Sequence, residues 1–431
     1  MMTPKFAVGT SCGIAAFPLL PTPNKAIDMK RESEIQAALQ NLVDRGKLAG
    51  AATLVWRDGE ARTACAGWRD VDAKLPIEPN TIFRIASMSK PITSVAALML
   101  VDDGRLSLSD SIARYAPEFA HTRVLRSPDG RLDETDPLER PITFEDLLTH
   151  RAGFTYGDFH RGPIARAYRE ALGGDIDSEV APDDWIARLA KLPLIGQPGS
   201  AMYYGRSTDL LGLLIAKIEG APLGAVLRRR IFDPLQMNDT GFCVPKGMRH
   251  RRSAAYGFDD EGRLTKRSTW SGVVVEERPE DMAYESGGSG LWSTIYDYLK
   301  FARLFLNSGE ADGVRLVRAE TMAMMMTNQL TQHQRAKSGW LGRKPFAAGR
   351  GFGLGVAIVL ETDQTDLMRR GSPGSVGWPG AYGGWWQADP NEGTVLIFLA
   401  HNMVDLEQMS KGIGFGVWEA LDAFQTLASA G

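Results

Sequence analysis

Residues 83–91 read FRIASMSKP and lead into the apolar run 92–101 (ITSVAALMLV). Proline is tolerated only in the first turn of a helix, so the helix that contains Pro91 must begin near Ser87. Ser87 and Lys90 are three residues apart, which makes their side chains neighbours on that helix. A serine hydroxyl becomes a nucleophile when an adjacent group takes its proton. The stretch therefore predicts a nucleophilic serine at a helix start; the alternative is a helix-capping serine beside an exposed lysine.

Upstream of this stretch, the sequence predicts one helix and a pair of strands. Residues 31–46 carry apolar side chains at helical spacing, and Gly46 ends the pattern. Residues 50–57 and 60–68 are rich in strand-forming residues, and the intervening Asp58-Gly59 is typical of a hairpin turn. A β hairpin is therefore predicted to precede residues 83–91.

Downstream, residues 116–275 are rich in helix signals, and strand patterns return near the end of the chain. The predicted late elements are a helix at 294–307, strands at 352–360, 382–388 and 394–400, and a helix at 406–427. Strands at both ends predict an α/β (α+β) fold: a mixed, mainly antiparallel sheet flanked by helices, plus a mostly helical inserted domain. The predicted domains are an N-terminal extension (1–30), a discontinuous α/β domain (31–115 and 276–431) and a mostly helical domain (116–275).

Two further segments carry residues suited to catalysis. Residues 198–204 (PGSAMYY) place Tyr204 between a turn and a helix, where a tyrosine beside an ammonium group can act as a base. Residues 377–386 (GWPGAYGGWW) contain glycines, which let the backbone approach a ligand and direct an N–H at a carbonyl oxygen. Taken singly, each segment also fits ordinary aromatic packing.

The composition excludes several classes of protein. The 431 residues include 49 Lys+Arg and 52 Asp+Glu, a net charge of −3, which is not the basic footprint of a nucleic-acid-binding protein. Three scattered cysteines and six histidines form neither a disulfide framework nor a metal-ligand pattern, so we expect no metal and no cofactor. No apolar run is long enough to span a membrane. We expect a small-molecule substrate and neither a nucleic-acid nor a membrane partner.

The N-terminal residues offer two patterns that we do not adopt. Residues 6–20 lack a strong basic segment and a clean cleavage site, so we expect a cytoplasmic protein, with secretion or a periplasmic location as the alternative. Residues 9–13 (GTSCG) match G-x-S-x-G, but no strand pattern precedes the serine, and we treat the match as accidental.

In their order along the chain, the three motifs resemble those of the serine β-lactamase and penicillin-binding-protein superfamily. Further similar phrases are residues 83–87 (FRIAS), 147–153 (LLTHRAG), 231–237 (IFDPLQM) and 287–297. The resemblance extends from about residue 35 to the C-terminus, and the chain is most similar to class C β-lactamase-like esterases, the family VIII carboxylesterases. It implies a β-lactamase/transpeptidase-like fold.

The resemblance also implies a role for each matching residue. Ser87 would be the acylated nucleophile, Lys90 would relay or hold its proton, and Tyr204 would act as the base and return a proton to the leaving group. The backbone N–H groups of Ser87 and Ala381 would form the oxyanion hole. Predicted substrate-binding residues are Trp378, Gly380 and Tyr156, with Phe159, Trp270 and Trp340 as further candidates for the cleft wall. We predict a structural role for His150.

Two positions depart from the lactamase pattern. Trp378 stands where lactamases usually carry the lysine of Lys-Thr-Gly, and Arg206 stands at the asparagine of Tyr-x-Asn, where it can pair with Asp209. Because an indole offers no charge to an anionic lactam, Trp378 favours a carboxylesterase for short-chain or aromatic esters. A β-lactamase, D-stereospecific peptidase or acyltransferase of this fold is the alternative. A non-catalytic penicillin-binding-like module is the second alternative.

Overall fold

The structure is a computed structural model, and it describes residues 25–160, 162–174, 176–267, 278, 282–339, 344–403, 408–409 and 411–429. The strands are β1 (Gly50–Arg57), β2 (Glu60–Asp70), β3 (Leu75–Pro76), β4 (Phe83–Arg84), β5 (Arg123–Leu125), β6 (Thr135–Pro137), β7 (Tyr256–Phe258), β8 (Leu264–Lys266), β9 (Trp292–Ser293), β10 (Glu310–Ala311), β11 (Val314–Arg315), β12 (Arg350–Phe352), β13 (Ala357–Val359), β14 (Val376–Pro379), β15 (Trp385–Asp389) and β16 (Thr394–Ala400).

The α-helices are α1 (Lys25–Asp44), α2 (Ser89–Asp102), α3 (Phe144–Leu148), α4 (Pro163–Leu172), α5 (Pro182–Ala190), α6 (Ser207–Glu219), α7 (Leu223–Leu227), α8 (Ile295–Leu306), α9 (Ala319–Met325), α10 (Gln332–Lys337) and α11 (Gly416–Ser429). A 3₁₀ turn, Ala86–Met88, leads directly into α2, and a π-helical turn, Arg228–Phe232, follows α7. Other 3₁₀ turns lie at Ile112–Arg114, Pro117–His121, Gly157–Phe159 and Lys246–Arg251.

One large sheet organises the described part of the chain. Its eight strands lie in the order β12-β13-β14-β15-β16-β1-β2-β3, and each neighbouring pair is antiparallel. The late strands therefore meet the early hairpin through β16 and β1, where Leu54 lies opposite Ile397. The α/β fold class with a mainly antiparallel sheet flanked by helices is confirmed.

Helices cover both faces of this sheet. On one face, Trp386 packs among the aromatic rings of α8, including Phe305 at 5.0 Å between ring centroids. On the other face, Phe398 of β16 packs in one apolar cluster with α1 and α11, which includes Phe424. The catalytic motif lies on the first face, because α2 belongs to the same core cluster as Trp386.

Two predicted elements differ from those observed. Residues 352–360 form the end of one strand, a turn and a second strand, because Gly355 has a φ of +95° and lies against the side chain of Ser94 on α2. The last helix begins at Gly416 rather than near 406, after Gly412 and Gly414, whose φ angles are +84° and +86°. Part of its predicted range, 404–407 and 410, lies outside the described residues.

The domain boundaries stay predictions. Helix α1 begins at Lys25, inside the segment that was predicted as an N-terminal extension, and residues 1–24 lie outside the described part of the chain. None of the described helices is by itself long and apolar enough to cross a membrane, although the bent pair Ser207–Glu219 and Leu223–Phe232 meets the length and composition criteria together.

Candidate active site

Three sequence-predicted side chains meet at the start of α2. Ser87 lies in the 3₁₀ turn that precedes the helix, and Lys90 in its first turn donates from Nζ to Ser87 Oγ over 3.1 Å. Tyr204, 117 residues further along the chain, donates from its hydroxyl to the same Oγ over 2.8 Å. The serine hydroxyl therefore lies within hydrogen-bond reach of two side chains that can exchange protons with it.

Lys90 is fully buried, with 0% of its surface exposed. Besides Ser87, its ammonium donates to Tyr156 Oη over 3.0 Å and to the carbonyl of Gly288 over 2.9 Å, so three acceptors match its three protons. Burial lowers the pKa of Lys90, but Tyr156, Tyr204 and Asp209 favour the charged form more strongly, and the pKa is raised above its ordinary value. At neutral pH, Lys90 is therefore a cation, and its ammonium acts as a hydrogen-bond donor to these three acceptors.

Tyr156 was predicted to line the cleft, and in the structure it also contacts Tyr204 and Lys90. Its ring packs edge-on against Tyr204 with centroids 5.5 Å apart, and its hydroxyl accepts the hydrogen bond from Lys90. Burial raises the pKa of Tyr156, although the Lys90 cation opposes this. The phenol of Tyr156 therefore stays neutral at neutral pH.

Trp378 closes the site on the sheet side. Its indole Nε1 donates to Tyr204 Oη over 3.1 Å, so the tyrosine oxygen contacts both the nucleophile and the indole. Aromatic rings surround Tyr204, namely His150, Tyr156, Phe159 and Trp378, and Phe346 stacks on Trp378 with an angle of 8° between the ring planes. The walls of the site are thus mainly aromatic. Trp270 and Trp340 lie outside the described residues.

The predicted oxyanion-hole residues lie where β14 passes the catalytic turn. A side chain at Gly380 would bring its Cβ within 2.5 Å of the Ile85 carbonyl, so only glycine allows this approach of strand to turn. Within the described part of the chain, no hydrogen bond is donated by the backbone N–H of Ser87 or Ala381. Ala86 has a φ of +45°, in the left-handed region, and this strained residue directly precedes the nucleophile.

Arg206 and Asp209 form a buried pair behind the site. Arg206 Nη1 lies 3.8 Å from Asp209 Oδ2, and both side chains are almost completely buried. The other carboxylate oxygen of Asp209 accepts from Ser286 Oγ and, over 3.1 Å, from the N–H of Gly288. Since the Gly288 carbonyl accepts from Lys90, the carboxylate fixes the loop that holds the lysine.

His150 lies directly behind Tyr204, with ring centroids 4.9 Å apart. Its pKa falls well below the ordinary value because the ring is buried and the Lys90 cation is near, so the imidazole is neutral. Its Nε2 lies 3.4 Å from Thr208 Oγ1, and it does not reach the nucleophile through any hydrogen bond of the described residues. This geometry is compatible with the predicted structural role.

A second buried cluster, which was not predicted from the sequence, is formed by Arg84, Asp177 and Tyr382. Arg84 pairs with Asp177 over 2.7 Å, with both side chains 2% exposed, and it also hydrogen-bonds to Tyr382. Tyr382 directly follows Ala381, and Arg84 lies three residues before Ser87. The cluster thus joins the two chain segments of the predicted oxyanion hole. In the sequence, this cluster is indicated only by Arg84, which belongs to the family-like residues 83–87 (FRIAS).

The described residues contain no group of three or more His, Cys, Asp or Glu side chains that could hold a metal ion. The chemistry that this site can perform with its own groups is proton transfer and covalent attack by Ser87.

A family model described as Beta-lactamase matches residues 35–412. An uncharacterized protein of Mycobacterium tuberculosis (strain CDC 1551 / Oshkosh) is 42% identical over 86% of this chain and 90% of its own length. Esterase EstB of Burkholderia gladioli is 29% identical, with coverage of 86% and 90%.

Among solved structures, the fold is similar to that of "EstCE1, a hydrolase with promiscuous acyltransferase activity". The TM-score is 0.74 at 24% identity, and the match covers 93% of this chain and all of that chain. At this identity the likeness supports the fold alone.

Proposed function

The chain belongs to the beta-lactamase family of serine hydrolases, and we propose that within this family it is a carboxylesterase for short-chain or aromatic esters. The observation that carries the proposal is the hydrogen bond from Trp378 Nε1 to Tyr204 Oη at 3.1 Å. An indole bound to the base occupies the motif at which lactamases usually present a cation to the substrate carboxylate. The aromatic surroundings of Tyr204 favour uncharged, apolar substrate groups over anionic lactams.

Acylation in this proposal begins with attack of Ser87 Oγ on the ester carbonyl. Tyr204 acts as the general base that takes the serine proton, because its oxygen lies 2.8 Å from Ser87 Oγ and is held in place by the N–H of Trp378. The oxyanion of the tetrahedral intermediate accepts from the N–H groups of Ser87 and Ala381, and one such donor contributes about 3 kcal/mol of transition-state stabilisation.

Collapse of the intermediate breaks the ester C–O bond, and Tyr204 returns the proton to the departing alkoxide, which leaves as the alcohol. Deacylation repeats these steps with water as nucleophile: Tyr204 takes a proton from water, and Ser87 leaves with that proton as the free hydroxyl. The expected kinetics are ping-pong, with an acyl group on Ser87 as the intermediate.

A substrate panel tests the proposal. We expect kcat/KM for p-nitrophenyl acetate and butyrate to exceed that for the lactam nitrocefin by at least about a thousandfold, since specificity is a ratio of such values. Comparable kcat/KM for nitrocefin would favour a β-lactamase instead. Addition of a primary alcohol separates hydrolysis from acyl transfer: a carboxylesterase forms mainly free acid, whereas an acyltransferase forms mainly the new ester.

A further inference from the structure

A small cavity lies against strand β14. Its volume is about 20 Å³, and its walls include Arg350, Ser375, Gly377, Pro379, Trp385 and Gln387. Gly377 lies opposite Gln387, and Gln387 lies opposite Leu396, a member of the apolar cluster of α1 and α11. Side chains opposite each other across antiparallel strands share one face, so Gly377 and Gln387 lie on the face opposite to Trp386, whereas Trp378 shares the face of Trp386.

Arg350 is the cationic wall of this cavity. The residue is 7% exposed, and its Nε is buried without a hydrogen-bond partner. In the described part of the chain, no carboxylate lies within ion-pair distance of its guanidinium, which packs over the Phe346 ring at 5.0 Å. Asp366 is the carboxylate that acts on it electrostatically, but Asp366 is bound to Arg369 at 3.1 Å. Among the described residues, the Arg350 guanidinium therefore has no carboxylate partner of its own.

An unpaired buried cation is costly, because burial removes its hydration. Burial lowers the pKa of Arg350 to about 10, partly offset by Asp366 and reinforced by Arg369. The guanidinium is still charged at neutral pH, so the cost is not relieved by loss of a proton. A bound anion relieves it, provided that the cavity admits one.

We propose that this cavity is a binding site for a single small anion of the size of chloride, held against the Arg350 guanidinium. A volume of about 20 Å³ has room for one water-sized guest. Monatomic halides are of this size. The other polar walls are the hydroxyl of Ser375 and the amide of Gln387.

The site adjoins the strand that carries the catalytic tryptophan. Gly377, Trp378 and Pro379 of β14 all line the cavity. A bound anion would fix Arg350 against this strand and stabilise the folded state in proportion to its occupancy. The site does not depend on the proposed esterase activity, because its occupant and its effect on stability are measured without a substrate.

The direct experiment is a bromide soak of crystals of the whole protein. We expect an anomalous bromide peak within hydrogen-bond distance of the Arg350 guanidinium. A map with bromide at surface sites but none beside Arg350 would overturn the proposal. The measurement uses the unmodified chain, so it is decisive even if a variant fails to fold.

Thermal unfolding supplies the second test. With gluconate replaced by chloride at constant ionic strength, we expect the Tm to rise by about 2 °C. Arg350→Met should abolish this chloride-specific rise, while the exposed-site control Arg131→Met, whose guanidinium pairs with Asp133 at the surface, should retain it. An equal rise in Arg350→Met and the unmodified protein would contradict a site at Arg350.

Discussion

Trp378 Nε1 and Tyr204 Oη are joined by a hydrogen bond of 3.1 Å, although 174 residues separate them along the chain. The same tyrosine oxygen lies 2.8 Å from Ser87 Oγ. The tryptophan is thereby linked to the proton acceptor of the proposed reaction as well as to the cleft wall.

Substitution Trp378→Phe tests this link. The ring is retained but its N–H is lost, and a hydrogen bond to a charged group contributes about 1.5–3 kcal/mol. We expect kcat for p-nitrophenyl butyrate to fall by about tenfold to a hundredfold, with KM changed by less than about threefold. Trp385→Phe is the matched control: this ring packs in the cluster of α1 and α11, so kcat should remain within about twofold. Unchanged kcat in Trp378→Phe would remove the proposed role of the indole.

Lys90→Ala and Tyr204→Phe test the proton-transfer pair. Both side chains contact Ser87 Oγ directly, and groups that act as a unit give non-additive losses. We expect each variant to lower kcat by about a thousandfold or more, and the double variant to be little worse than either single one. Near-normal kcat in Tyr204→Phe, with the fold intact by circular dichroism, would move the base to another group.

Two variants of the hydrogen-bond network around Asp209 distinguish an effect on the position of Lys90 from an effect on folding. Asp209→Ala removes the carboxylate from a buried ion pair with Arg206, and we expect a loss of about 3–5 kcal/mol in the free energy of unfolding. Ser286→Ala keeps that ion pair but removes one contact to the loop of Gly288. We expect a lower kcat in both variants, and a large fall in Tm only for Asp209→Ala. If Ser286→Ala retained full kcat, the loop would not position Lys90.

Buried His401 predicts a pH dependence of stability. Burial lowers its pKa to about 3, with smaller contributions from Arg84 and Arg252 and an opposing hydrogen bond to Ser253. Because the unfolded histidine titrates near 6.5, the unfolded state binds the additional proton below that pH. The contribution of His401 to stability is therefore complete above about pH 6.5 and is lost as the pH falls toward 3.

Urea unfolding at several pH values measures this effect. We expect His401→Gln to flatten the fall in unfolding free energy between pH 6 and pH 4 by up to about 1.4 kcal/mol per pH unit. The exposed His333→Gln is the matched control and should retain the slope of the unmodified protein. Identical slopes in His401→Gln and the unmodified protein would contradict a neutral buried imidazole.

Local patterns predicted the elements around the nucleophile. Because proline is tolerated only in the first turn of a helix, Pro91 placed the helix start near Ser87. The observed 3₁₀ turn begins at Ala86 and α2 begins at Ser89. The hairpin of β1 and β2 followed from alternation and Asp58-Gly59. Each of these predictions depends on neighbours within a few residues, where periodicity and turn chemistry determine the structure.

The rest of the site depends on contacts that sequence spacing does not encode. Lys90 reaches Tyr156 across 66 residues and the Gly288 carbonyl across 198, and a backbone acceptor leaves no side-chain signal. Strand β14 was absent from the pattern-based prediction because Gly377 and Pro379 are poor strand formers. Only the family resemblance placed its Trp378 in the catalytic cleft.

Acylation of Ser87 by an ester is measured by intact-protein and peptide mass spectrometry during turnover of p-nitrophenyl butyrate. We predict a single butyryl group on the peptide that contains Ser87, and loss of both the adduct and the ester turnover in Ser87→Ala. Ester turnover that persists unchanged in a folded Ser87→Ala variant would contradict Ser87 as the acylated nucleophile.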